Sequence, residues 1–359
     1  MKDCALYVTE PLATSCQARA RLTQRLFPQG VPRLWCPTLT HFAARGEFDG
    51  PRIRRHLQLL APCVKGVLVP GSTGEGWEMS DADIQHLLAV VLDAAKAADI
   101  RVLIGVLKTD LPGMLQRLDA SVDFLKRRAG VSSTEEALQH SNVVGFTVCP
   151  PKGSNLDQEA IAEALARVAE RGVPLALYQL PQVTGNEMSP ETVQKLAARY
   201  PEFYLFKDTS GKDRVAESKL DFEGVFLVRG AEGDYARWTK TAGGPYDGFL
   251  LSTANVFAHE FDSILRLLEQ GRRSDAQILA IRLTRVVEGC FAMAARFPAG
   301  NAFTNANKAL DHLMAYGEAG VRREPPLLYS GVRLPAAFVE SAAALLRQDN
   351  LMPTTGYLE

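Results

Sequence analysis

The sequence has little that would send it to a membrane, to a nucleic acid or into a disulfide framework. Its six cysteines, Cys4, Cys16, Cys36, Cys63, Cys149 and Cys290, include no C-x-x-C pair. Neither a zinc cage nor a disulfide scaffold is therefore expected, and a reducing cytoplasm fits this usage. No apolar run reaches the roughly 18 residues that a bilayer-spanning helix needs, and the first residues carry no apolar stretch of the secretory type. Charge of one sign is also missing. Forty Lys and Arg stand against 41 Asp and Glu, for a net charge of −1, which gives no electrostatic reason to expect a nucleic-acid or membrane partner. The expected partner is a small molecule. The six histidines, His41, His56, His86, His140, His259 and His312, form no close ligand pair along the chain. A metal-dependent aldolase or hydrolase, which needs converging His or carboxylate ligands, is disfavoured, and no metal or organic cofactor is expected.

What the chain does have is alternation. From residue 33 onward, short β-branched or apolar runs alternate with amphipathic helical stretches, the pattern of a parallel sheet covered by helices. The candidate strands are Leu34–Thr38, Gly66–Pro70, Val102–Val106, Val143–Val148, Leu175–Tyr178, Phe203–Lys207, Val225–Arg229 and Gly248–Leu251. Helix signals stand between them. Ser80 with Asp83 resembles a capping box, Asp157 can cap a helix closed near Gly172, and Ser189-Pro190 opens another. Eight strand–helix units over about 240 residues match a (β/α)8 TIM barrel, with a doubly wound open sheet as the structural alternative. After Gly271 the alternation stops and only helices are expected. The division is then an N-terminal arm over residues 1–30, a barrel over 31–271, and a C-terminal helical extension over 272–359. Arg19, Arg21 and Arg25 would suit a transit-like segment, but Asp3 and Glu10 oppose it, and the arm is expected on the surface. Residues 130–142 are an insertion before the fourth strand.

In such a barrel, polar residues at the C-terminal ends of the strands are the candidates for chemistry. The second strand runs into Gly71-Ser72-Thr73-Gly74-Glu75-Gly76, where glycines let backbone N–H groups approach an anion beside two hydroxyls. The spacing is neither G-x-G-x-x-G nor a P-loop, and a tight turn is the plain alternative. The fifth strand ends in Tyr178 and the sixth in Lys207, after the apolar Tyr204-Leu205-Phe206. A lysine so placed is expected to point into the barrel mouth, where desolvation lowers its pKa and frees a nucleophilic amine. Its plain alternative is a strand-end lysine paired with Asp208 or reaching solvent.

These motifs together resemble the dihydrodipicolinate synthase and N-acetylneuraminate lyase family over residues 31–317. The resemblance implies that Lys207 in Phe-Lys-Asp-Thr-Ser-Gly is the Schiff-base lysine and Tyr178 the proton-shuttling tyrosine. It also implies that Ser72 and Thr73 bind the substrate carboxylate. Gly230 resembles the glycine after the seventh strand, and Leu250 precedes Thr253-Ala254-Asn255-Val256, another signature near the pocket. It further implies a homotetramer or homodimer acting on pyruvate or a related 2-oxo acid, as aldolase or dehydratase.

Two departures stand out. Members that make dihydrodipicolinate carry an arginine where this chain has Val183, so lysine biosynthesis is disfavoured. The family's relay tyrosine in the loop after the fourth strand is replaced by Cys149-Pro150-Pro151-Lys152-Gly153. Lys152 is then either a second anchor for an acidic substrate or a solvated loop residue. A barrel that has lost catalysis and serves as a 2-oxo-acid-binding or regulatory protein is the alternative from another class.

Overall fold

The computed structural model describes residues 14–359; the first part of the expected arm, residues 1–13, lies outside the described residues. Eight parallel strands, β1 (Leu34–Pro37), β2 (Gly66–Val69), β3 (Arg101–Val106), β4 (Val143–Val148), β5 (Leu175–Gln179), β6 (Phe203–Asp208), β7 (Phe226–Arg229) and β8 (Gly248–Leu250), pair in sequence order. β8 returns to pair with β1 through Leu34 with Phe249 and Trp35 with Leu250. The closure excludes the open doubly wound sheet: the fold is a (β/α)8 barrel.

Helix α1 (Ser15–Leu26) precedes β1, and α2 (Gly50–Leu60), α3 (Asp81–Ala97), α4 (Leu111–Ala129), α5 (Thr134–His140), α6 (Gln158–Ala169), α7 (Pro181–Thr184), α8 (Pro190–Arg199), α9 (Arg214–Glu217) and α10 (Ala254–Glu269) lie between and after the strands. Three more, α11 (Arg273–Ala294), α12 (Ala302–Tyr316) and α13 (Ala336–Gln348), follow the last barrel helix. Their starts are chemically marked. Ser80, Asp157 and Ser189 each accept a backbone N–H from three residues on, which satisfies one of the four orphan donors of a helix N-terminus. Residues 130–142 contain the extra helix α5, capped by Ser133. No helix among the described residues is long and apolar enough to cross a membrane.

Alternation along the strands sorts side chains into two cores. Leu175, Leu177, Phe203 and Phe206 face the surrounding helices. Trp35, Leu68, Leu103, Val144, Ala176, Tyr204, Val228 and Leu250 fill the barrel interior. Helix α1, within the expected arm, lies at the N-terminal end of the barrel. There the Arg19 guanidinium, 1% exposed, donates to the carbonyls of Phe203 (2.5 Å), Ala197 (2.6 Å) and Tyr200 (3.0 Å). Phe27 plugs the same end, edge-on to Trp35 at 5.9 Å. The opposite end is the one left to carry polar groups.

Candidate active site

At the C-terminal end of the barrel Tyr178 and Lys207 are register partners across β5 and β6. Both point into the mouth, because Ala176 two residues before Tyr178 faces the interior and Leu177 faces the helices. Lys207 Nζ stands 3.9 Å from the centre of the Tyr178 ring. Burial of the amine, opposed by the Glu232 carboxylate, lowers its pKa to about 7. The same burial pushes the Tyr178 phenol up, while the Ser72 and Thr209 hydroxyls act in the opposite direction. A neutral amine next to a phenol in a poorly hydrated cup can add to a carbonyl carbon and have its protons moved.

Room for the lysine depends on Gly230. A Cβ placed there would lie 2.4 Å from Thr209 Oγ1 and 2.8 Å from Lys207 Cε, closer than real Cβ contacts come. Gly230 also donates its N–H to the Asp208 carbonyl at 2.6 Å. Its contribution is therefore space and strand-end pairing.

The loop after β2 is held from behind. Thr304 Oγ1 donates to the Thr73 carbonyl at 3.0 Å and Asn301 Nδ2 to the Ser72 carbonyl at 3.3 Å, both from the start of α12. Glu75, in a left-handed conformation at φ 64°, sits beneath the loop. It accepts from Lys308 Nζ at 2.5 Å and from the Tyr329 N–H at 2.7 Å. With the carbonyls drawn back, the Ser72 and Thr73 N–H groups have no acceptor among the described residues. Two free amides beside two buried hydroxyls form a nest that suits a carboxylate.

Two expected contacts sit elsewhere. Leu250 packs with Trp35 and Val228 in the interior layer, apart from the Cys149, Tyr178 and Leu180 cluster that lines the mouth with Trp77 and Val183. Lys152 is exposed, and its N–H donates to the Thr109 carbonyl at 2.8 Å. Asn255 of the Thr253-Ala254-Asn255-Val256 signature joins β8 back to β1. It donates to the Pro37 carbonyl at 2.9 Å and accepts from the Leu39 N–H at 2.9 Å.

Sequence reasoning missed three features. Glu232, just past β7, accepts from Ser252 Oγ (2.7 Å), Thr253 Oγ1 (2.7 Å), the Thr253 N–H (3.1 Å) and Tyr235 OH (2.9 Å), and its charge reaches Lys207. Its signal was a carboxylate two residues past a strand-end glycine. Trp77 donates to Ser72 Oγ at 2.8 Å, which nothing in the sequence marks. The third is a correction: His41 and His56 do form a close pair, at 2.9 Å, with Asp311 beside them. Residues 15 apart meet because α2 folds back beside the loop after β1. The Asn255 carbonyl, 2.8 Å from His56 Nε2, requires a proton on that nitrogen, so His56 Nδ1 accepts from His41. Asp311 is taken by Arg52 at 2.7 Å and Tyr357 OH at 3.0 Å. Both oxygens of Asp311 and both ring nitrogens of His56 are thereby hydrogen-bonded within the fold.

The family model for the dihydrodipicolinate synthetase family matches residues 125–305, half of the chain. A 4-hydroxy-tetrahydrodipicolinate synthase of Stenotrophomonas maltophilia is 30% identical over 221 residues, 60% of this chain and 67% of that protein. The protein of the same name from Erythrobacter litoralis is 26% identical over 314 residues, 81% of this chain and 99% of that protein. Among solved structures, YagE of E. coli K12, a prophage protein in complex with pyruvate, superposes with a TM-score of 0.69 at 18% identity. That match covers 89% of this chain and 99% of YagE. A 2-keto-3-deoxygluconate aldolase variant of Sulfolobus solfataricus superposes with a TM-score of 0.61 at 16% identity, over 89% of this chain and 96% of that one. With a closed barrel, a strand-end lysine beside a strand-end tyrosine and these matches, the chain belongs to the dihydrodipicolinate synthetase family.

Proposed function

We propose that the protein is a class I lyase in which Lys207 forms a Schiff base with pyruvate or a related 2-oxo acid. The observation that carries this reading is the buried Lys207 amine, with its pKa lowered to about 7, against the Tyr178 ring. Half of such an amine is neutral near pH 7, whereas an ordinary lysine is almost wholly charged. The substrate carboxylate would lie on the free amides of Ser72 and Thr73 and on the Thr73 hydroxyl, while the Ser72 hydroxyl faces Tyr178. The Lys207 nitrogen adds to the ketone carbon, and a proton passes from nitrogen to oxygen through Tyr178 to give the carbinolamine. The Tyr178 phenol then protonates the departing hydroxyl as water, which leaves an iminium and a phenolate. In aldol cleavage the phenolate takes the C4 hydroxyl proton, the C3–C4 bond breaks, and its electrons move into the iminium to give an enamine and an aldehyde. In a dehydratase the same enamine-forming chemistry expels water from C4. No step needs a metal or organic cofactor.

The mouth wall of Cys149, Leu180, Val183 and Trp77 offers no cation for a second carboxylate, which supports a reaction other than dihydrodipicolinate synthesis. Lys152, exposed at the rim, would anchor an acidic group only in a substrate long enough to pass that wall; an unchanged KM in Lys152→Ala removes that role. A homotetramer or homodimer is the proposed assembly, to be read by sedimentation.

Borohydride trapping across a panel of 2-oxo acids, followed by peptide mapping, tests the reading. It requires one reduced 2-oxo acid on Lys207, its loss in Lys207→Ala, and a rate about 10²- to 10⁴-fold lower in Tyr178→Phe, the usual worth of a positioned acid–base group. An unmodified protein mass would instead make the barrel a binding or regulatory protein.

A further inference from the structure

We propose that Trp77 is a positioning residue of the proton relay, fixing the Ser72 hydroxyl so that its proton points at the Tyr178 oxygen. The proposal deepens the Schiff-base reading and rests on it.

The Trp77 indole N–H donates to Ser72 Oγ at 2.8 Å, and the indole packs against the cluster of Cys149, Tyr178 and Leu180. An indole nitrogen can only donate, whereas a serine hydroxyl has one proton to give and two lone pairs. Trp77 therefore occupies a lone pair and turns the Ser72 proton away from itself. Trp77 thus touches both Ser72 and the cluster that holds Tyr178, and the Ser72 hydroxyl acts on the Tyr178 phenol to favour its ionised form. In the proposed mechanism Tyr178 is briefly a phenolate, after water leaves and before the C4 proton is taken. Burial makes that anion costly, and a donor already aimed at it lowers the cost without reorganisation.

The arrangement also sets where the relay ends. Trp77 cannot accept a proton, and the loop after β4 supplies only Cys149-Pro150-Pro151-Lys152-Gly153, which leaves Ser72 and Thr209 as the hydroxyls acting on Tyr178. In the cleavage step the Tyr178 phenolate recovers its proton from the C4 hydroxyl, which closes the proton balance.

The test is Trp77→Phe, which keeps an aromatic wall and deletes the N–H. We expect kcat to fall about tenfold, the worth of one hydrogen bond of roughly 1.4 kcal/mol. KM for pyruvate should stay within about twofold, so that the loss is confined to kcat. In a Ser72→Ala background the same substitution should have no further effect on kcat, because the hydroxyl it aims is gone; a packing defect would persist there. Wild-type kcat in Trp77→Phe, or a loss carried by KM alone, would overturn the proposal while leaving Lys207 trapping intact. Absence of trapping in the wild type would overturn the Schiff-base reading beneath it. Should Trp77→Phe fold poorly, Trp77→His, which can present a ring N–H to Ser72, should recover part of kcat, and equal losses in both would also count against the idea.

Discussion

Lys207 Nζ lies 3.9 Å above the centre of the Tyr178 ring, on the strand next to it and in register with it. Two effects compete at that contact. The ring face favours the ammonium form, by about 0.5–2 kcal/mol for a lysine over an aromatic ring. Burial favours the neutral amine, and burial wins, since the pKa falls to about 7 from an ordinary 10.5.

The first prediction is a pH dependence. Because only the neutral amine adds to a ketone, the rate of trapping with pyruvate should rise through about pH 7 and level off above it. The Glu232 charge acts to hold the proton on Lys207, so Glu232→Gln should move the inflection to lower pH. A midpoint near 10, or one unmoved in the variant, would contradict the electrostatics. Stability carries the same sign. Between pH 7 and 10.5 the unfolded chain holds the Lys207 proton and the folded one does not, so stability rises with pH across that window. The burial penalty is felt in full below pH 7 and is lost toward 10.5. Lys207→Met should accordingly raise Tm most below pH 7 and least near pH 10.5, as calorimetry across that range would show.

Gly230→Ala tests the space around the lysine. The added Cβ would meet Thr209 Oγ1 at 2.4 Å and Lys207 Cε at 2.8 Å, so Thr209 or Lys207 must shift. A loss of about 1–3 kcal/mol is expected from overpacking, together with a lower trapping rate because the amine is displaced from Tyr178. Denaturant melts and trapping kinetics on the same preparation separate the two effects. Unchanged trapping would show that the lysine is not held by this contact.

Much of this architecture was legible in the sequence, and the exceptions have a common cause. Strand β4 is found at Val143–Val148, as the run of β-branched residues implies. Lys207 and Tyr178 were legible from the resemblance and from their joint placement at the ends of adjacent strands, although position alone left Lys207 free to pair with Asp208 or reach solvent. The support of the Ser72–Thr73 loop was not, since Asn301, Thr304 and Lys308 reach it across more than 220 residues of chain. A helix expected only as part of a C-terminal extension turned out to back that loop. Trp77 was passed over because an indole after a glycine-rich turn is indistinguishable by pattern from core packing. The His41–His56 pair depends on how α2 folds back, which no spacing encodes.

The Glu75–Lys308 pair makes that long-range support testable. Both side chains are almost fully buried, at 3% and 1% exposure. Removing one partner leaves a bare charge in the interior, so Lys308→Met should cost about 3–5 kcal/mol. With Glu75 unbalanced, the loop above it should lose its shape and KM for pyruvate should rise. The double variant Glu75→Gln with Lys308→Met should regain part of the stability, because no uncompensated charge remains. If the single variant melts like the wild type, the pair is not what joins α12 to the loop.

The last prediction concerns the second substrate. Leu180, Val183 and Trp77 make one side of the mouth apolar, and a carboxylate placed against them would be desolvated without a partner, which is unfavourable. In the condensation direction the pyruvate enamine should therefore prefer an uncharged aldehyde to one bearing a carboxylate. Val183→Arg supplies a charged donor on that wall. A charge-assisted hydrogen bond is worth about 1.5–3 kcal/mol, so kcat/KM for the carboxylate-bearing aldehyde should rise by about 10- to 100-fold relative to the uncharged one. The ratio is the quantity to measure, because any general damage from the larger side chain cancels in it. A ratio that stays constant would mean that the aldehyde does not approach Lys207 along this wall.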